Sequence, residues 1–527
     1  MFLQRVGNRG IRLGTLFERA ARRHPACPVI LDHDLDIAPE RGRRLVLTEL
    51  ADLVDDFASR LWAARVRPGE RVVVHKSNSF DISLLTCAIV RIGAVPALLS
   101  PKLDGATVRE LVSRMNRPYL ITDQVKIETE LSDKVFDLAE RVLLATGTHP
   151  QAVSLADFAG AERVAPVTMP REHPTLITHT SGTTGVPKLA VHTGQTFQAR
   201  YRPQATIVAA ALRKREPIAI HVSFVHSRMY TAMPISILQG HPLLILREDD
   251  PEAVADLFAA VPPGFIEAHP NAFLRWEVLA DDPRGPLANV KYFSSTFDAI
   301  HPRTVNRLLR ASRRRAPRFA QSYGQSEVGP IAARTYSRKG GADFDARCVG
   351  RPFPGMTGVR VVSRDGRRPT KSSPGYIEVL SNGRIITYLG EHPRWELQAE
   401  GEWWRMGDVG YRTKWGCLHM LDREVDEIPG IDSTLEIEDK LLTRLPELIE
   451  VVLVPNADDL PQPVVSTREN RPLDPAAWRA AVAGLPRLAD PVQWRQEDLP
   501  QTATTKIRRL ELAELLKAGR HNGEPAT

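Results

Sequence analysis

The sequence predicts an α/β protein with a large N-terminal domain of βαβ subdomains plus a β subdomain, followed by a small, mobile α+β C-terminal domain. Three observations predict this fold: short apolar runs alternate with helix-compatible segments, Gly- and Pro-punctuated strands begin near residue 348, and strand and helix patterns resume after residue 423. Alternating strands and helices favour a parallel sheet. We therefore assign residues 1–422 to the N-terminal domain, with the β subdomain from about 348, and residues 423–527 to the C-terminal domain.

The first part of the chain alternates between helix and strand signals. Apolar residues at helical spacing predict a helix over residues 14–23, which Pro25 ends ahead of an apolar strand over Pro28–Leu31. Further helices are predicted at about 47–64 and 80–92. Short β-rich runs followed by helix-compatible sequence predict more strands in AVPALLS, PYLITD, PIAIHVSF, HPLLILRE and VKYFSS.

The pattern changes beyond residue 348. The runs GVRVVSRDG, GYIEVLSNG and CLHMLD are short strands that suit an antiparallel sheet or a small barrel. After residue 423, the strand run LIEVVLVP and helices at about 475–483 and 509–517 predict a compact α+β domain. We place a hinge near residues 414–423.

Composition and charge are typical of folded, soluble proteins. The chain has 527 residues, of which 43% are hydrophobic and 25% charged, values near the average for globular proteins. Seventy basic and 63 acidic residues give a net charge of +7, which leans mildly toward anionic partners. No stretch approaches the ~18 apolar residues of a membrane-spanning helix, and the N-terminus lacks an apolar signal block. We expect a cytoplasmic protein without membrane association.

Four cysteines are widely scattered along the chain, at Cys27, Cys87, Cys348 and Cys417. They form no CxxC pair and have no histidine at metal-ligand spacing. The sequence therefore predicts neither a disulfide framework nor a zinc site, and we interpret the cysteines as buried thiols.

An arginine-rich segment is a candidate nucleic-acid patch, with Arg303, Arg307, Arg310, Arg313, Arg314, Arg315 and Arg318. It lacks the interleaved aromatic residues and the recognised module of a nucleic-acid binder. We interpret it as a solvated helix face and expect no nucleic-acid partner.

A loop rich in hydroxyls and glycines, THTSGTTGVPK, occupies residues 178–188 between two apolar stretches. Glycines let the backbone approach an anion closely, while hydroxyls and a lysine add donors. The segment is not the P-loop pattern GxxxxGK[ST], because the lysine follows proline and no Ser or Thr comes directly after it. It predicts a phosphate-binding turn with the candidate ligands Thr180, Ser181, Gly182, Thr183, Thr184, Gly185 and Lys188.

This loop resembles the TSGTTGxPK signature of the adenylate-forming superfamily of acyl-CoA synthetases, aryl-CoA ligases, luciferases and nonribosomal adenylation domains. Four further segments resemble that family's motifs in the same order. They are residues 321–327 for YGxTE, 402–408 for GWxxTGD, 422–428 for GRxxDxI and 500–506 for PxTxxGK. The resemblance covers essentially the whole chain.

The resemblance implies an ATP-dependent ligase that uses Mg²⁺. An acid attacks the α-phosphorus and pyrophosphate leaves, so catalysis is mainly positioning and electrostatic stabilisation. By resemblance, Lys506 bridges the acid and the α-phosphate, and Glu327 holds Mg²⁺ against the outer phosphates. Tyr323 would stack on adenine, Asp408 would accept from the ribose hydroxyls, and Arg423 would contact ribose or phosphate. The implied ATP-binding residues beyond the loop are Tyr323, Gly324, Ser326, Asp408 and Arg423.

The resemblance also implies a hinge and a gate. Lys414 aligns with the family's hinge position, about which the C-terminal domain turns between adenylation and transfer. His226 stands where the family usually has an aromatic residue or histidine that gates the acid pocket. We count His226 with Lys506 and Glu327 as candidate catalytic residues, although an interior histidine with satisfied hydrogen bonds is an equal alternative.

The chain departs from the family pattern at several positions. Met406 replaces a threonine, and Asp422 and Thr505 replace glycines. The stretch over residues 426–438 is shorter than the family's. Because that loop lines the pantetheine tunnel in the family, CoA as the acceptor is placed in doubt, although Gly430 is retained.

The predicted pocket wall reads SSTFDA at residues 294–299, where the family has a run such as SGGAPL. Side chains in place of glycines suit a small acid. Polar side chains would be costly to desolvate in an apolar acyl tunnel. We therefore predict a small or polar substrate beside His226, Ser295, Thr296, Phe297 and Asp298.

The leading hypothesis is a ligase that adenylates a small carboxylic acid and passes the acyl group to a thiol, expected to be CoA. The alternative keeps the adenylation and changes the acceptor to an amine, including nitrite activation for diazotisation of an aromatic amine. A catalytically inactive binding protein also stays open. We expect ATP and Mg²⁺ as cofactors, CoA as a further candidate, a small-molecule acid with a thiol or amine acceptor, and a monomer or homodimer.

Overall fold

The strands of the described residues form three sheets, of 14, eight and three strands. The computed structural model describes residues 11–180, 182, 185–212, 214–340, 344–456, 460–502 and 506–518.

The strands are mostly short and apolar. In chain order they are β1 (Pro28–Leu31), β2 (Arg44–Val46), β3 (Arg71–Val74), β4 (Val95–Leu98), β5 (Tyr119–Asp123), β6 (Arg141–Thr146), β7 (Val153–Ser154), β8 (Pro174–His179), β9 (Leu189–Thr193), β10 (Ile218–His221), β11 (Leu243–Ile245), β12 (Phe265–Ala268), β13 (Tyr292–Ser295), β14 (Arg318–Gln325), β15 (Gly329–Tyr336), β16 (Cys348–Pro352), β17 (Thr357–Val362), β18 (Gly375–Ser381), β19 (Thr387–Tyr388), β20 (Ala399–Glu400), β21 (Trp403–Arg412), β22 (Leu418–Arg423), β23 (Leu448–Val454), β24 (Gln462–Thr467) and β25 (Val492–Gln493).

The helices lie largely between the strands. They are α1 (Leu16–Ala21), α2 (Leu47–Ala63), α3 (Asp81–Arg91), α4 (Gly105–Ser113), α5 (Gln124–Lys126), α6 (Val135–Leu138), α7 (Gly194–Ala211), α8 (Met229–Gln239), α9 (Pro251–Ala260), α10 (Pro270–Arg275), α11 (Pro302–Ala311), α12 (His392–Glu396), α13 (Thr434–Arg444), α14 (Pro475–Ala481) and α15 (Arg509–Lys517). None of them, within the described ranges, is long and apolar enough to cross a membrane.

The predicted α/β class is confirmed by two sheets with parallel cores. In the larger sheet, β11, β10, β12, β13 and β14 are parallel neighbours. In the second sheet, β3, β4, β5 and β6 are parallel as well. Ligands of such sheets bind outside the carboxyl ends of the strands, which places the residues that follow β12 and β13 at a candidate site.

The predicted antiparallel region is part of the larger sheet. It begins with the β14–β15 hairpin, upstream of residue 348, and continues through β16, β22, β21, β18 and β17. Backbone hydrogen bonds therefore join the antiparallel strands to the parallel ones through β14.

After β22 the chain forms a small α+β unit with its own sheet. β23 and β24 are antiparallel, and β25 is parallel to β24. Alternate residues of β23 enter two apolar clusters, with Val451 and Leu453 in one and Val452 and Val454 in the other, as expected for a strand covered on both faces. The predicted boundary at 422/423 coincides with the end of β22 and stays a prediction.

The cysteine prediction holds for two of the four residues. Cys87 and Cys348 are buried, whereas Cys27 and Cys417 are half-buried. All four are free thiols.

Candidate active site

The predicted phosphate loop is a strand-to-strand turn. β8 and β9 are antiparallel, and the loop joins the end of one to the start of the other. The N–H of Thr180 donates to the carbonyl oxygen of Lys188 (2.9 Å), and the N–H of Lys188 donates to Thr180 Oγ1 (3.1 Å). These two hydrogen bonds join the first and last residues of the loop.

Two glycines of the loop adopt left-handed backbone conformations. The φ angle is +67° at Gly182 and +125° at Gly185, and a Cβ on Gly182 would lie 2.9 Å from Gly185 O. Glycine therefore lets the chain turn tightly here. The other predicted loop ligands, Ser181, Thr183 and Thr184, lie outside the described residues.

Lys188, Glu327 and Tyr388 form one cluster beside the loop. The Tyr388 hydroxyl donates to Glu327 Oε1 (2.6 Å), and Lys188 Nζ lies 3.2 Å from that hydroxyl and 4.0 Å from Glu327 Oε1. Burial lowers the pKa of Lys188, although Glu327 opposes the shift. Burial together with the Glu327 carboxylate raises the pKa of Tyr388. A cation and a buried carboxylate thus meet where a polyphosphate and a hard cation could be held.

Sequence reasoning missed Tyr388. It lies in the two-residue strand β19, which pairs with β9 immediately after the loop. Sixty-one residues separate Tyr388 from Glu327, so no local motif joins them.

We predict that Tyr388→Phe lowers the adenylation rate about tenfold, because hydrogen bonds to charged groups contribute about 1.5–3 kcal/mol. Glu327 and Lys188 would both lose the hydroxyl that orients them. Pyrophosphate release with saturating substrates measures the effect. Tyr336→Phe is the matched control, since its buried hydroxyl donates to the neutral Gln321 amide (3.2 Å); equal rates for the two variants would contradict the prediction.

Tyr323 on β14 meets Asp408 and Arg423, which lie on the paired strands β21 and β22 of the same sheet. The Tyr323 hydroxyl donates to Asp408 Oδ2 (2.5 Å), and Arg423 Nε lies 3.8 Å from Asp408 Oδ1. Burial raises the pKa of the Asp408 carboxyl, although Arg423 opposes the shift. Gly324 has no room for a side chain, because a Cβ would lie 2.1 Å from the Gly329 carbonyl oxygen. The predicted nucleotide contacts are therefore close together.

His226 lies beside Ser326, whose backbone adjoins Glu327. Its Nδ1 accepts a hydrogen bond from the N–H of Arg228 (3.0 Å), so Nε2 carries the proton and donates to Ser326 Oγ (3.3 Å). Burial and nearby cationic groups lower the pKa of His226 to about 3. The imidazole is therefore neutral, with both nitrogens engaged.

Arg200, which sequence reasoning also missed, lies behind the site on α7. It is buried and donates from Nε to Gly383 O (2.8 Å) and from Nη2 to Ser326 O (2.9 Å), with Nη1 3.3 Å from Ser227 Oγ. Burial lowers the pKa of its guanidinium. One side chain thus joins three segments around Glu327.

Phe297 fills the predicted substrate pocket at the carboxyl end of β13. Its ring stacks on His269, with centroids 4.1 Å apart, and meets His226 edge-on at 4.7 Å. Its φ angle is +86°, a conformation that costs a non-glycine residue of the order of 1–3 kcal/mol. The pocket therefore contains an aromatic ring held between two imidazoles.

Polar atoms in this pocket lack partners. Ser295 Oγ, Thr296 Oγ1 and His269 Nδ1 are buried and form no hydrogen bond in the described part of the chain. Buried polar atoms usually have partners, so these three could accept or donate to a polar ligand. Asp298, in contrast, is exposed and accepts from the N–H of Ala299 (2.9 Å).

Lys506 faces the site from the C-terminal unit. Its backbone N–H donates to Thr502 Oγ1 (3.1 Å), and the N–H of Thr502 donates to Lys506 O (2.8 Å). The Lys506 charge contributes to the lowered pKa of His226 and favours the ionised form of Asp408. The ammonium is therefore near both the pocket and the nucleotide contacts. Thr505 lies outside the described residues.

Lys414, the predicted hinge residue, lies just before the last strand of the larger sheet. It is exposed in the turn between β21 and β22, two strands paired within the same sheet. The chain leaves that sheet only after Arg423. Asp422, which replaces a family glycine, accepts from the N–H (2.9 Å) and hydroxyl (2.6 Å) of Thr434 at the start of α13. The role of Lys414 as a hinge stays a prediction.

The AMP-binding enzyme family model matches residues 17–389. The 3-amino-2-hydroxy-4-methoxybenzoate diazotase of Streptomyces cremeus is 47% identical over 98% of this chain and 98% of that protein. The indoleacetate–CoA ligase of Aromatoleum aromaticum is 25% identical over 91% and 94% of the two chains. The crystal structure of the anthranilate CoA ligase AuaEII in complex with anthranoyl-AMP superposes with a TM-score of 0.80 at 17% identity, covering 97% and 98% of the two chains. The chain therefore belongs to the AMP-binding enzyme family and is an ATP-dependent, adenylate-forming ligase.

Proposed function

We propose that this ligase activates nitrite with ATP and transfers the nitrosyl group to an aromatic amine. The observation that carries the proposal is the filled pocket: Phe297 occupies the space between His226 and His269. A wide acyl chain would have to displace this ring, whereas a triatomic anion would not. The diazotase from Streptomyces cremeus, 47% identical, supports the same reaction class.

The proposed reaction balances over three steps. A nitrite oxygen attacks the α-phosphorus of ATP, the bond to pyrophosphate breaks, and a nitrosyl–AMP anhydride forms. The amine nitrogen then attacks the nitrosyl nitrogen, AMP leaves and the N–H proton is lost. The resulting N-nitrosamine takes up a proton and loses water to give the diazonium ion.

The chain's own residues would bind and orient the reactants. The turn between β8 and β9, with Lys188, would hold the outer phosphates of ATP, and Tyr323 and Asp408 would hold the nucleoside. Lys506 would place its positive charge beside the acid oxygen and the α-phosphate, where negative charge builds up. His226 is neutral at physiological pH and would line the entrance of the acid pocket. Because its imidazole carries no charge, it would not repel the cationic side chains nearby.

The residues present fit a Mg²⁺ ion. Glu327 offers a buried carboxylate next to the loop, and magnesium in such sites is bound by one or two carboxylates plus substrate phosphates. The described residues contain no group of three or more His, Cys, Asp or Glu that would hold a metal alone. A magnesium ion bound by Glu327 and the phosphates of ATP would not require such a group. When bound, the ion would neutralise charge on the leaving pyrophosphate.

Transfer to an amine is favoured over transfer to CoA by the length of the loop over residues 426–438. Only seven residues, 427–433, separate the short helical turn Glu424–Asp426 from α13, and Asp422 fixes the start of that helix. The loop thus offers little length to line a pantetheine tunnel. We propose that any turning of the C-terminal unit occurs about residues 424–428 rather than about Lys414.

Product analysis tests this proposal. We expect the enzyme with ATP, Mg²⁺, isotopically labelled nitrite and an aminohydroxybenzoate to form AMP, pyrophosphate and a diazonium ion, trapped as a labelled azo dye by a naphthol. Reactions without ATP should form no dye at neutral pH. Formation of an acyl-CoA from the aminohydroxybenzoate and CoA, with no labelled dye, would overturn the proposal and favour the thiol acceptor.

A further inference from the structure

A large cleft lies away from the candidate active site, between α11 and α13. It has a volume of about 940 Å³, which is in the range of small-molecule sites. One wall comes from α11 and the segment before β16, and the other comes from α13 in the C-terminal unit. Of the described active-site residues Lys188, Glu327 and Lys506, none lines this cleft.

The cleft combines positive charge with flat apolar surfaces. Seven basic and four acidic side chains line it. The aromatic rings of Tyr411 and Phe344 lie in its wall, and each stacks on a neighbour, His419 and Tyr336 respectively. Three arginines of the arginine-rich segment, Arg303, Arg307 and Arg310, face it from α11. This lining suits an anion attached to a flat body.

Arg347 supplies the second, independent observation. It is only 6% exposed, and its Nη2 lies 2.7 Å from Asp439 Oδ2. Its Nε and Nη1 are buried and have no hydrogen-bond partner among the described residues, and the same holds for Nε of Arg303. Unpaired buried donors are unfavourable, and each of these N–H groups could donate a separate hydrogen bond to an oxyanion.

We propose that this cleft binds an organic phosphate, separately from ATP. Arg347 and Arg303 would donate to the phosphate oxygens, Arg310 would add charge at the mouth, and the rings of Tyr411 and Phe344 would flank the organic body. The proposal does not depend on which acid or acceptor the enzyme uses.

Occupancy of the cleft would favour the present arrangement of the two units. They already meet here, because Arg303 Nη1 donates to Pro446 O (3.1 Å) and His301 Nε2 lies 3.1 Å from Thr443 Oγ1. A bound phosphate would add contacts from both walls and reduce repulsion among the basic side chains. The ligand would therefore stabilise the arrangement in which Lys506 faces the active site.

Calorimetric titration with phenyl phosphate tests the proposal, with the active site first saturated by α,β-methylene-ATP and Mg²⁺. We expect one binding event per chain, weaker binding of inorganic phosphate and none of phenol. Arg310→Gln should weaken binding of phenyl phosphate about tenfold, the effect of one charge-assisted contact, and Arg347→Gln should abolish it. Arg315→Gln, an exposed arginine of the same segment outside the cleft, should leave it unchanged.

Limited proteolysis gives a second readout. Saturating phenyl phosphate should slow cleavage within residues 424–433 in the wild type and in Arg315→Gln, but not in Arg310→Gln. Arg310 is exposed, so this variant should fold even if Arg347→Gln does not. Absence of binding to the ATP-analogue complex, or equal affinity in Arg310→Gln and Arg315→Gln, would overturn the proposal.

Discussion

Replacing Lys506 with alanine is expected to slow adenylation by about 10²- to 10³-fold, the loss seen when one group that stabilises developing charge is removed. Lys506 is half-buried, and its charge acts on both His226 and Asp408. We therefore expect it to act on the acid and the nucleotide together. Because this charge matters most when the α-phosphorus is attacked, kcat should fall much more than the KM for ATP rises. ATP–pyrophosphate exchange with nitrite as the acid measures both.

The control for this prediction lies in the same C-terminal unit. Lys517 is exposed at the end of α15, where its nearest carboxylate is Glu514 (3.5 Å). Lys517→Ala should retain the wild-type exchange rate, and both variants should melt at the wild-type temperature. If Lys506→Ala were folded and exchanged pyrophosphate at the wild-type rate, the assigned role of the lysine would be wrong.

Arg200→Met is expected to lower both stability and activity. Methionine would fill much of the same space, but the carbonyl oxygens of Gly383 and Ser326 would lose their donors. A buried acceptor without a partner costs about 1–3 kcal/mol, and the part-buried Ser326 O costs less than the buried Gly383 O. We therefore expect a loss of about 2–4 kcal/mol in the free energy of unfolding, reduced by the removal of a buried charge. Adenylation should slow as well, because Ser326 precedes Glu327. Urea unfolding and pyrophosphate release measure the two effects.

Arg202→Met is the matched control, because Arg202 is exposed two residues further along α7. Its effect should stay within about 0.5 kcal/mol, as for most surface substitutions. Arg200→Lys keeps a cation but cannot make all three contacts of the guanidinium, to Gly383, Ser326 and Ser227. Its free energy of unfolding should therefore lie between those of the wild type and Arg200→Met. An unfolding midpoint equal to the wild type for Arg200→Met would contradict the structural role.

Several elements could be predicted from the sequence because their signals are local. The strand Pro28–Leu31 and the helix Arg509–Lys517 have the predicted bounds, and the helix predicted at about 80–92 is Asp81–Arg91. Proline, apolar spacing and short β-branched runs act over a few residues. The loop between β8 and β9 could be located for the same reason, since its glycines and hydroxyls are contiguous; its binding of phosphate stays a prediction.

The remainder of the site depends on contacts between distant parts of the chain. Arg200 and Ser326 are 126 residues apart, and Tyr388 and Glu327 are 61 apart. His269 acquires its place only because β12 and β13 are neighbours in the sheet. The hinge role of Lys414 was predicted from motif alignment alone and stays a prediction; the structure places this residue in the turn between β21 and β22. Pairing of this kind leaves no signature in a single sequence.

The continuity of the larger sheet connects the predicted nucleotide contacts to the predicted pocket. Tyr323 lies on β14, Asp408 lies on β21 and Ser295 ends β13, and one path of backbone hydrogen bonds connects these three strands. For a nucleotide bound as proposed, the main chain would therefore set the distance from its α-phosphorus to the pocket wall. Side-chain substitutions would change the width of the pocket but not the distance that the acid must span.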